Sequence, residues 1–399
     1  MLEPQSTMVF ALLVVMFGAL VWRIMAGRLV ALRVTAACLA FVTAMVFGVL
    51  AVNRYYDYYQ TWGAMVADLT HQGVGAASGV PEVKLESGTQ SGTQSGTLDG
   101  SRGYLELAQR QGYLLRLVVT GQRSRITRVV YVYLPPQYFQ PAYQAYRFPV
   151  IELIHGQPGE PQDWITVAGV TQTFGRMLEH KLARPAVLVM PDANGARAIS
   201  LQCLNQAGGA QDLTYLAVDL PTQIARTLRV LPPGAGWGVA GYSEGGFCAA
   251  NMPLRYPDRY GFSGVLSGYF VPLDNQPDGT GRKVSPFGGD NRLREQNTPF
   301  DELLNMPAAT VVPQYWLGAG TAAGQDVADA ERFWRELRPR QPDAPLTLTP
   351  GTGHSMATWR AEVPSMLSWM TPRLAQAARQ AGVRPAKTTI VADQRRPAG

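Results

Sequence analysis

Apolar residues follow two regimes along the 399-residue chain. Up to about position 52 they run almost without interruption; beyond about 110, short apolar runs alternate with amphipathic and polar stretches. In the first regime, residues 8–22 are continuously apolar, 24–27 extend that run past Arg23, and a second run covers 34–52. Each is close to the ~20 residues needed to cross a bilayer. A signal peptide would account for one such run, not two. In the second regime, 113–120 and 125–134 are rich in Val, Ile and Tyr and flank a Gly121-Gln122-Arg123-Ser124 turn, which predicts an antiparallel hairpin. Residues 150–154, apolar but for Glu152, and 186–190, apolar throughout, read as strands of the kind buried inside a parallel sheet. Helices are expected over 166–182, over 213–228 with a kink at Pro221, over 327–337, and over 356–374 with an interruption at Pro364. Further strands are expected at 310–317 and 346–349. Strands alternating with helices imply an α/β domain with a largely parallel sheet covered on both faces.

Charge orients the first regime. The connection between the two apolar runs carries Arg23, Arg28 and Arg33, whereas Glu3 is the one charged side chain among the first seven residues. The positive-inside rule puts that connection in the cytoplasm and both ends of the hairpin outside. Tyr55, Tyr56, Tyr58, Tyr59 and Trp62 follow the second run and suit an outer headgroup belt. Residues 73–100 are rich in Gly, Ser and Thr, with Ser87-Gly88-Thr89-Gln90 repeated as Ser91-Gly92-Thr93-Gln94. So few apolar groups predict a flexible tether from which a soluble domain hangs. The polar, Gly-rich stretch 275–298 is expected to loop over a site in that domain.

The chemistry centres on Gly241-Tyr242-Ser243-Glu244-Gly245, preceded by a short apolar strand and followed by a stretch that can be helical. Strand, Gly-x-Ser-x-Gly and helix make the nucleophile elbow of an α/β-hydrolase, with Ser243 presented at the carboxyl end of a central strand. The motif is short enough to arise by chance in a chain with 41 glycines, so the other parts matter. A serine hydroxyl needs a base to take its proton as it attacks. Four histidines are available. His71 is membrane-proximal, His180 sits on a predicted helix, and His155 ends a strand before Gly156; His354, in Gly351-Thr352-Gly353-His354-Ser355 after the last strand, is the expected base. The acid that orients it follows a later strand, in chain order Ser, Asp, His. Asp326 is the first carboxylate after the strand ending at Leu317, with Asp329 and Glu331 behind it. The oxyanion of an acyl-transfer intermediate needs two fixed backbone donors. The candidates are the amides of Glu244 and of Gln157, in Ile154-His155-Gly156-Gln157-Pro158-Gly159; Gly156 is the neighbouring choice and Pro158 has no N–H to give.

Composition narrows the partners. The net charge is +6, with arginines scattered except in a basic tail over 377–399. Basic and aromatic residues do not interleave as in a nucleic-acid surface, so no nucleic-acid partner is expected. Of three cysteines, Cys38 lies in an apolar run, while Cys203 and Cys248 could be bridged in an oxidising compartment or remain buried thiols. No Cys-x-x-Cys spacing suggests a metal site.

Taken together, Leu153-Ile154-His155-Gly156, the elbow, Tyr256-Pro257-Asp258-Arg259-Tyr260 leading to Leu266-Ser267-Gly268, and Gly353-His354 resemble the putative-esterase family, which includes esterase D-type enzymes and mycolyltransferases. The resemblance spans roughly 113–374. It implies an α/β-hydrolase fold, ester cleavage or acyl transfer through an acyl-serine, no cofactor, and catalytic roles for Ser243, Asp326 and His354. Mycolyltransferases use glutamate as the acid, and its position does not align with Asp326. The expected organisation is a transmembrane hairpin (1–53), a membrane-proximal segment and linker (54–100), a catalytic domain (101–376) and a disordered basic tail (377–399). The expected function is an extracytoplasmic, plasma-membrane-anchored serine esterase, held by residues 8–52, acting on lipid or cell-envelope esters. An acyltransferase using an envelope sugar or lipid hydroxyl, and an inactive envelope-binding domain, are the alternatives.

Overall fold

A computed structural model describes residues 3–70, 82–86, 102–197, 199–274, 276–277, 283–307 and 310–380. Two long helices come first, α1 (Thr7–Ala26) and α2 (Val30–Tyr56), followed by a short α3 (Trp62–Leu69). Both long helices have a mean hydropathy of 2.3 over their most apolar window and are long enough to cross a membrane. They pack on each other, with Phe10 edge-on to Phe47 at 5.3 Å.

The strands are β1 (Glu82–Glu86), β2 (Tyr113–Thr120), β3 (Thr127–Leu134), β4 (Val150–Ile154), β5 (Val187–Pro191), β6 (Gly234–Tyr242), β7 (Tyr260–Leu266), a two-stranded β8 (Gln276–Pro277) and β9 (Lys283–Val284), then β10 (Gln314–Gly320) and β11 (Leu346–Thr349). Nine of them form one sheet in the order β1-β2-β3-β5-β4-β6-β7-β10-β11. β3 runs antiparallel to both β2 and β5; the other pairings in the sheet are parallel. This is the α/β-hydrolase arrangement that the elbow and the alternation of elements predicted.

The alternation of side chains along the strands builds two apolar layers. Val187 and Val189 face one layer, with Leu220, Ile224 and Phe333. Leu188 and Met190 face the other, with Phe174 and the stripe Met366, Met370 and Leu374. That stripe recurs every four residues along one helical face, and each such fully buried side chain contributes about 1.5–3 kcal/mol. Helices important to the site are α4 (Arg102–Gln111), α5 (Val170–Glu179), α6 (Leu220–Thr227), α7 (Glu244–Arg255), α8 (Gly324–Leu337) and α9 (Met356–Gln380).

Pro364 behaves differently from the sequence expectation. α9 continues through both Pro364 and Pro372. Each proline removes one backbone bond, and the buried stripe on the same helix outweighs that loss. Pro221 lies inside a continuous helical path from Asp212 to Thr227, near where a kink was expected. The adjustment falls just before it, in a π-helical turn at Tyr215–Asp219.

α2 and α3 are docked on the sheet-and-helix body of the chain, in contrast to a domain hanging free. Arg360 of α9 donates to the carbonyl of Asp57 at 2.7 Å and to that of Val167 at 3.1 Å, and pairs with the Asp57 carboxylate. Arg197 bridges Asp68 at 3.2 Å and Glu160 at 3.0 Å. Tyr58 and Tyr59 pack against the second apolar layer, while Tyr55 and Tyr56 remain exposed. The predicted tyrosine belt therefore splits into an exposed pair and a docking pair. Within the stretch read as a tether, residues 82–86 are an edge strand paired in parallel with β2; its repeats at 87–97 lie outside the described residues. α9 runs four residues past 376, and the rest of the basic tail also lies outside them.

Candidate active site

β6 ends at Tyr242 and α7 begins at Glu244, so Ser243 alone makes the bend. Its φ of 58° and ψ of −119° place a non-glycine residue in a strained region. The flanking glycines are required by contact. A Cβ at Gly241 would lie 2.1 Å from the carbonyl oxygen of Gly245, and one at Gly245 would lie 2.1 Å from that of Ile154. The bend is pinned by the Ser243 amide donating to Leu266 at 3.0 Å and by the Ser243 carbonyl accepting from Gly246 at 2.9 Å.

Three side chains from separate segments meet there. Oγ of Ser243 is 2.9 Å from Nε2 of His354. Nδ1 of the same ring is 2.7 Å from Oδ2 of Asp326. Asp326 sits in the first turn of α8, just beyond β10, and His354 lies in the loop between β11 and α9. All three are thus delivered from the carboxyl ends of parallel strands. Asp329, the sequence runner-up, instead accepts from Gln325 at 3.0 Å on the exposed side of α8. Trp359, which sequence reasoning did not single out, meets the His354 ring edge-on at 5.2 Å and stacks on Tyr242 at 4.5 Å. Its position one turn after His354, inside a helix start, was the available signal.

The loop after β4 abuts the elbow. Gly156 packs so closely that a Cβ there would lie 2.9 Å from the Tyr242 ring and 3.1 Å from the Ser243 Cβ. Gln157 and Pro158, joined by a cis peptide, line the same cavity as Ser243 and His354. The Glu244 amide is the first of α7, where helix amides lack intrahelical acceptors. The two candidate oxyanion donors therefore border the nucleophile.

The remaining polar groups near the bend have structural tasks. His155 is fully buried; its Nε2 accepts from the Ala193 amide at 3.0 Å, which leaves the proton on Nδ1, facing the Gly156 carbonyl at 2.7 Å. His155 is a bracket for the loop. The Glu244 side chain is buried and accepts from Asn194 at 2.8 Å and from Ser200. Burial pushes its carboxyl above the ordinary range, and those two donors oppose the shift. Glu244 thereby ties residues 194–200 to the elbow. Cys248, one turn into α7, is disulfide-bonded to Cys203, which settles the choice that the sequence left open.

The cavity over Ser243 has a volume of about 460 Å³. It is lined by Gly156, Gln157, Arg197, Met356 and Trp359 together with residues of α2 and the segment after it. The described part of 275–298 is not among its walls. Phe287 packs with Leu204 and Phe247 instead, away from the cavity. Among the described residues no group of three or more His, Cys, Asp or Glu side chains is arranged to hold a metal ion.

Comparison with known proteins adds a family and a set of folds. A family model described as "Putative esterase" matches residues 125–370. An uncharacterised protein of Corynebacterium glutamicum is 26% identical over 272 residues, covering 66% of this chain and 62% of that protein. The MPT51/MPB51 antigen of Mycobacterium tuberculosis is 30% identical over 128 residues, covering 32% of this chain and 39% of the antigen. The chain thus spans less than two thirds of the length of these relatives. Among solved structures, a ferulic acid esterase superimposes with a TM-score of 0.55 at 18% identity, over 66% of this chain and 99% of its own. An S-formylglutathione hydrolase from Agrobacterium tumefaciens gives 0.51 at 16%, over 66% and 96%. At these identities the likeness speaks for the fold.

Proposed function

Because the chain belongs to the putative-esterase family, we propose that it is a membrane-anchored serine esterase whose catalytic domain lies on the extracytoplasmic side. The observation that carries the activity is the continuous relay from Ser243 through His354 to Asp326, with contacts of 2.9 and 2.7 Å. In this reading Oγ of Ser243 attacks the ester carbonyl while Nε2 of His354 takes its proton. The developing oxyanion is held by the amides of Gln157 and Glu244. The imidazolium, stabilised by Asp326, then protonates the departing alcohol, leaving an acyl-serine. Water enters, gives its proton to His354 and releases the acid, restoring Ser243. A hydroxyl acceptor in place of water would make the same intermediate a transferase.

The membrane reading is supported by the helix surfaces. Large apolar side chains along α1 and α2, such as Val15 and Phe41, are exposed, over an extent that soluble proteins avoid. The sidedness is supported by Arg23, Arg28 and Arg33 around the α1–α2 connection and by the Cys203–Cys248 bond, which suits an oxidising compartment. Fluorophosphonate labelling of the full chain in membranes, followed by peptide mapping, tests the site. Modification is expected on Ser243 and absent in Ser243→Ala; a different labelled residue overturns the assignment. Protease added to right-side-out vesicles should digest the catalytic domain, and protection there would reverse the orientation. Product analysis with glycerol or trehalose present separates hydrolysis from transfer.

A further inference from the structure

Part of the wall of the cavity over Ser243 is built by the apolar hairpin. Val49, Val52, Asn53 and Tyr56 of α2 line the same space as Ser243 and His354, and so does Met65 of α3. Val49 and Val52 are at once cavity-lining and more than half exposed, at 55% and 59%. The partition between the cavity and whatever surrounds α2 is therefore a single helix face, open along its flank. Asn53 is buried and clamps the chain turn after α2, accepting from the Tyr59 amide at 2.7 Å and donating to its carbonyl at 3.0 Å. With Arg360 on Asp57 and Arg197 on Asp68, these contacts hold α2 against the catalytic domain.

The height of this wall matters. Tyr55 and Tyr56 are exposed at the end of α2, where an interfacial belt would lie. Val49 is seven residues earlier, which at 1.5 Å per residue is roughly 10 Å deeper along the helix. On the membrane reading above, the cavity thus reaches from the nucleophile down past the headgroup level. We propose that the last two turns of α2 form an acyl-chain subsite, and that the substrate is an ester of a bilayer-resident amphiphile whose tail stays along Val49 and Val52 while its carbonyl reaches Ser243. This rests on the membrane-anchored serine-esterase reading above. The hairpin is then part of the specificity site as well as an anchor.

The full chain in nanodiscs, given p-nitrophenyl esters from acetate to decanoate, tests this. In the parent, kcat/KM should climb with chain length by up to about fourfold per buried methylene. Val52→Trp, which fills the wall, should lower the decanoate-to-acetate ratio at least tenfold, and Val49→Phe should lower it in the same direction. Val42→Trp, two turns deeper on the same face and outside the cavity, should leave the ratio at the parental value. A ratio unchanged in both wall variants that still label with fluorophosphonate, or lowered equally by Val42→Trp, overturns the subsite while leaving the esterase reading intact. A parent that hydrolyses none of the esters and does not label at Ser243 overturns the esterase reading itself.

Discussion

Asp326→Asn isolates the weakest-specified member of the relay. In the structure the two ring nitrogens of His354 have different tasks: Nδ1 faces Asp326 at 2.7 Å and Nε2 faces Ser243 at 2.9 Å. A carboxylate accepts only, so the proton resides on Nδ1 and Nε2 keeps the lone pair that receives the serine proton. Asparagine has nearly the same shape, but its NH2 can be presented to Nδ1. The ring proton then sits on Nε2, pointed at Ser243, and the base is lost. In a Ser-His-Asp protease this substitution lowers kcat by about 10⁴, or about 5–6 kcal/mol at 1.36 kcal/mol per factor of ten. The structural cost is far smaller. Asp326 lies in the first turn of α8, where a lost negative charge forfeits about 0.3–1 kcal/mol of helix-dipole interaction. The assay is the p-nitrophenolate burst of the full chain by stopped flow, with thermal unfolding of each variant alongside. Acylation should slow by 10³ to 10⁴ while the unfolding temperature moves by a few degrees at most. Asp329→Asn, on the exposed face of α8, should retain the parental burst. An Asp326→Asn burst within tenfold of the parent would refute the role given to this carboxylate.

Three further outcomes follow from named contacts. Gly245→Ala places a methyl 2.1 Å from the Ile154 carbonyl and 2.7 Å from that of His155; the elbow must move away from the oxyanion loop, so labelling of Ser243 should fall at least a hundredfold, and near-parental labelling would show that the loop can yield. Burial raises the Glu362 carboxyl from 4.5 to about 8, against a donated bond from Thr349 and with the Asp326 charge adding to the rise; between those values the unfolded chain has released a proton that the folded chain keeps, so stability falls as pH rises, by up to about 1.4 kcal/mol per pH unit. Glu362→Gln should flatten that fall, so a parent-minus-variant difference in unfolding temperature that stays constant from pH 5 to 8 would contradict it. Cys203→Ser with Cys248→Ser opens a loop with a sequence separation of 45, which in the chain-entropy account costs about 4 kcal/mol; denaturant unfolding under non-reducing conditions measures it, and a loss below 1 kcal/mol would mean that the bond adds little.

The site was legible where local chemistry dictates local geometry. Gly241 and Gly245 are glycine because a side chain at either would overlap backbone, and that constraint is written into five consecutive residues. Asp326 and His354 could be read because parallel strands β6, β10 and β11 deliver their following loops to one edge, so chain order translates into proximity. Glu152 was not legible: a carboxyl in the middle of an apolar strand, it is fully buried and accepts from the Tyr260 hydroxyl at 2.9 Å, a partner supplied by a distant strand. Pro364 misled for a related reason. Local propensity penalises it, but tertiary burial of Met366, Met370 and Leu374 decides the helix. Arg360 and Asp57, 303 residues apart, carry no pattern that announces their meeting.

That last pairing changes what the proposed anchor would do. A flexible tether raises the concentration of a catalytic domain near a surface but leaves every orientation open. Here Arg360 holds the backbone of Asp57 and Val167 together, Arg197 holds Asp68 to Glu160, and Asn53 closes the turn between them. Partly buried ion pairs of this kind add little net stability, since desolvation offsets attraction, but several at separate points admit one orientation and exclude others. The consequence is positional. In the proposed membrane placement, with α2 along the membrane normal, these contacts hold the cavity shared by Ser243 and Tyr56 at a fixed height, so that bilayer geometry would select which ester bond reaches Ser243 before any side chain in the cavity discriminates.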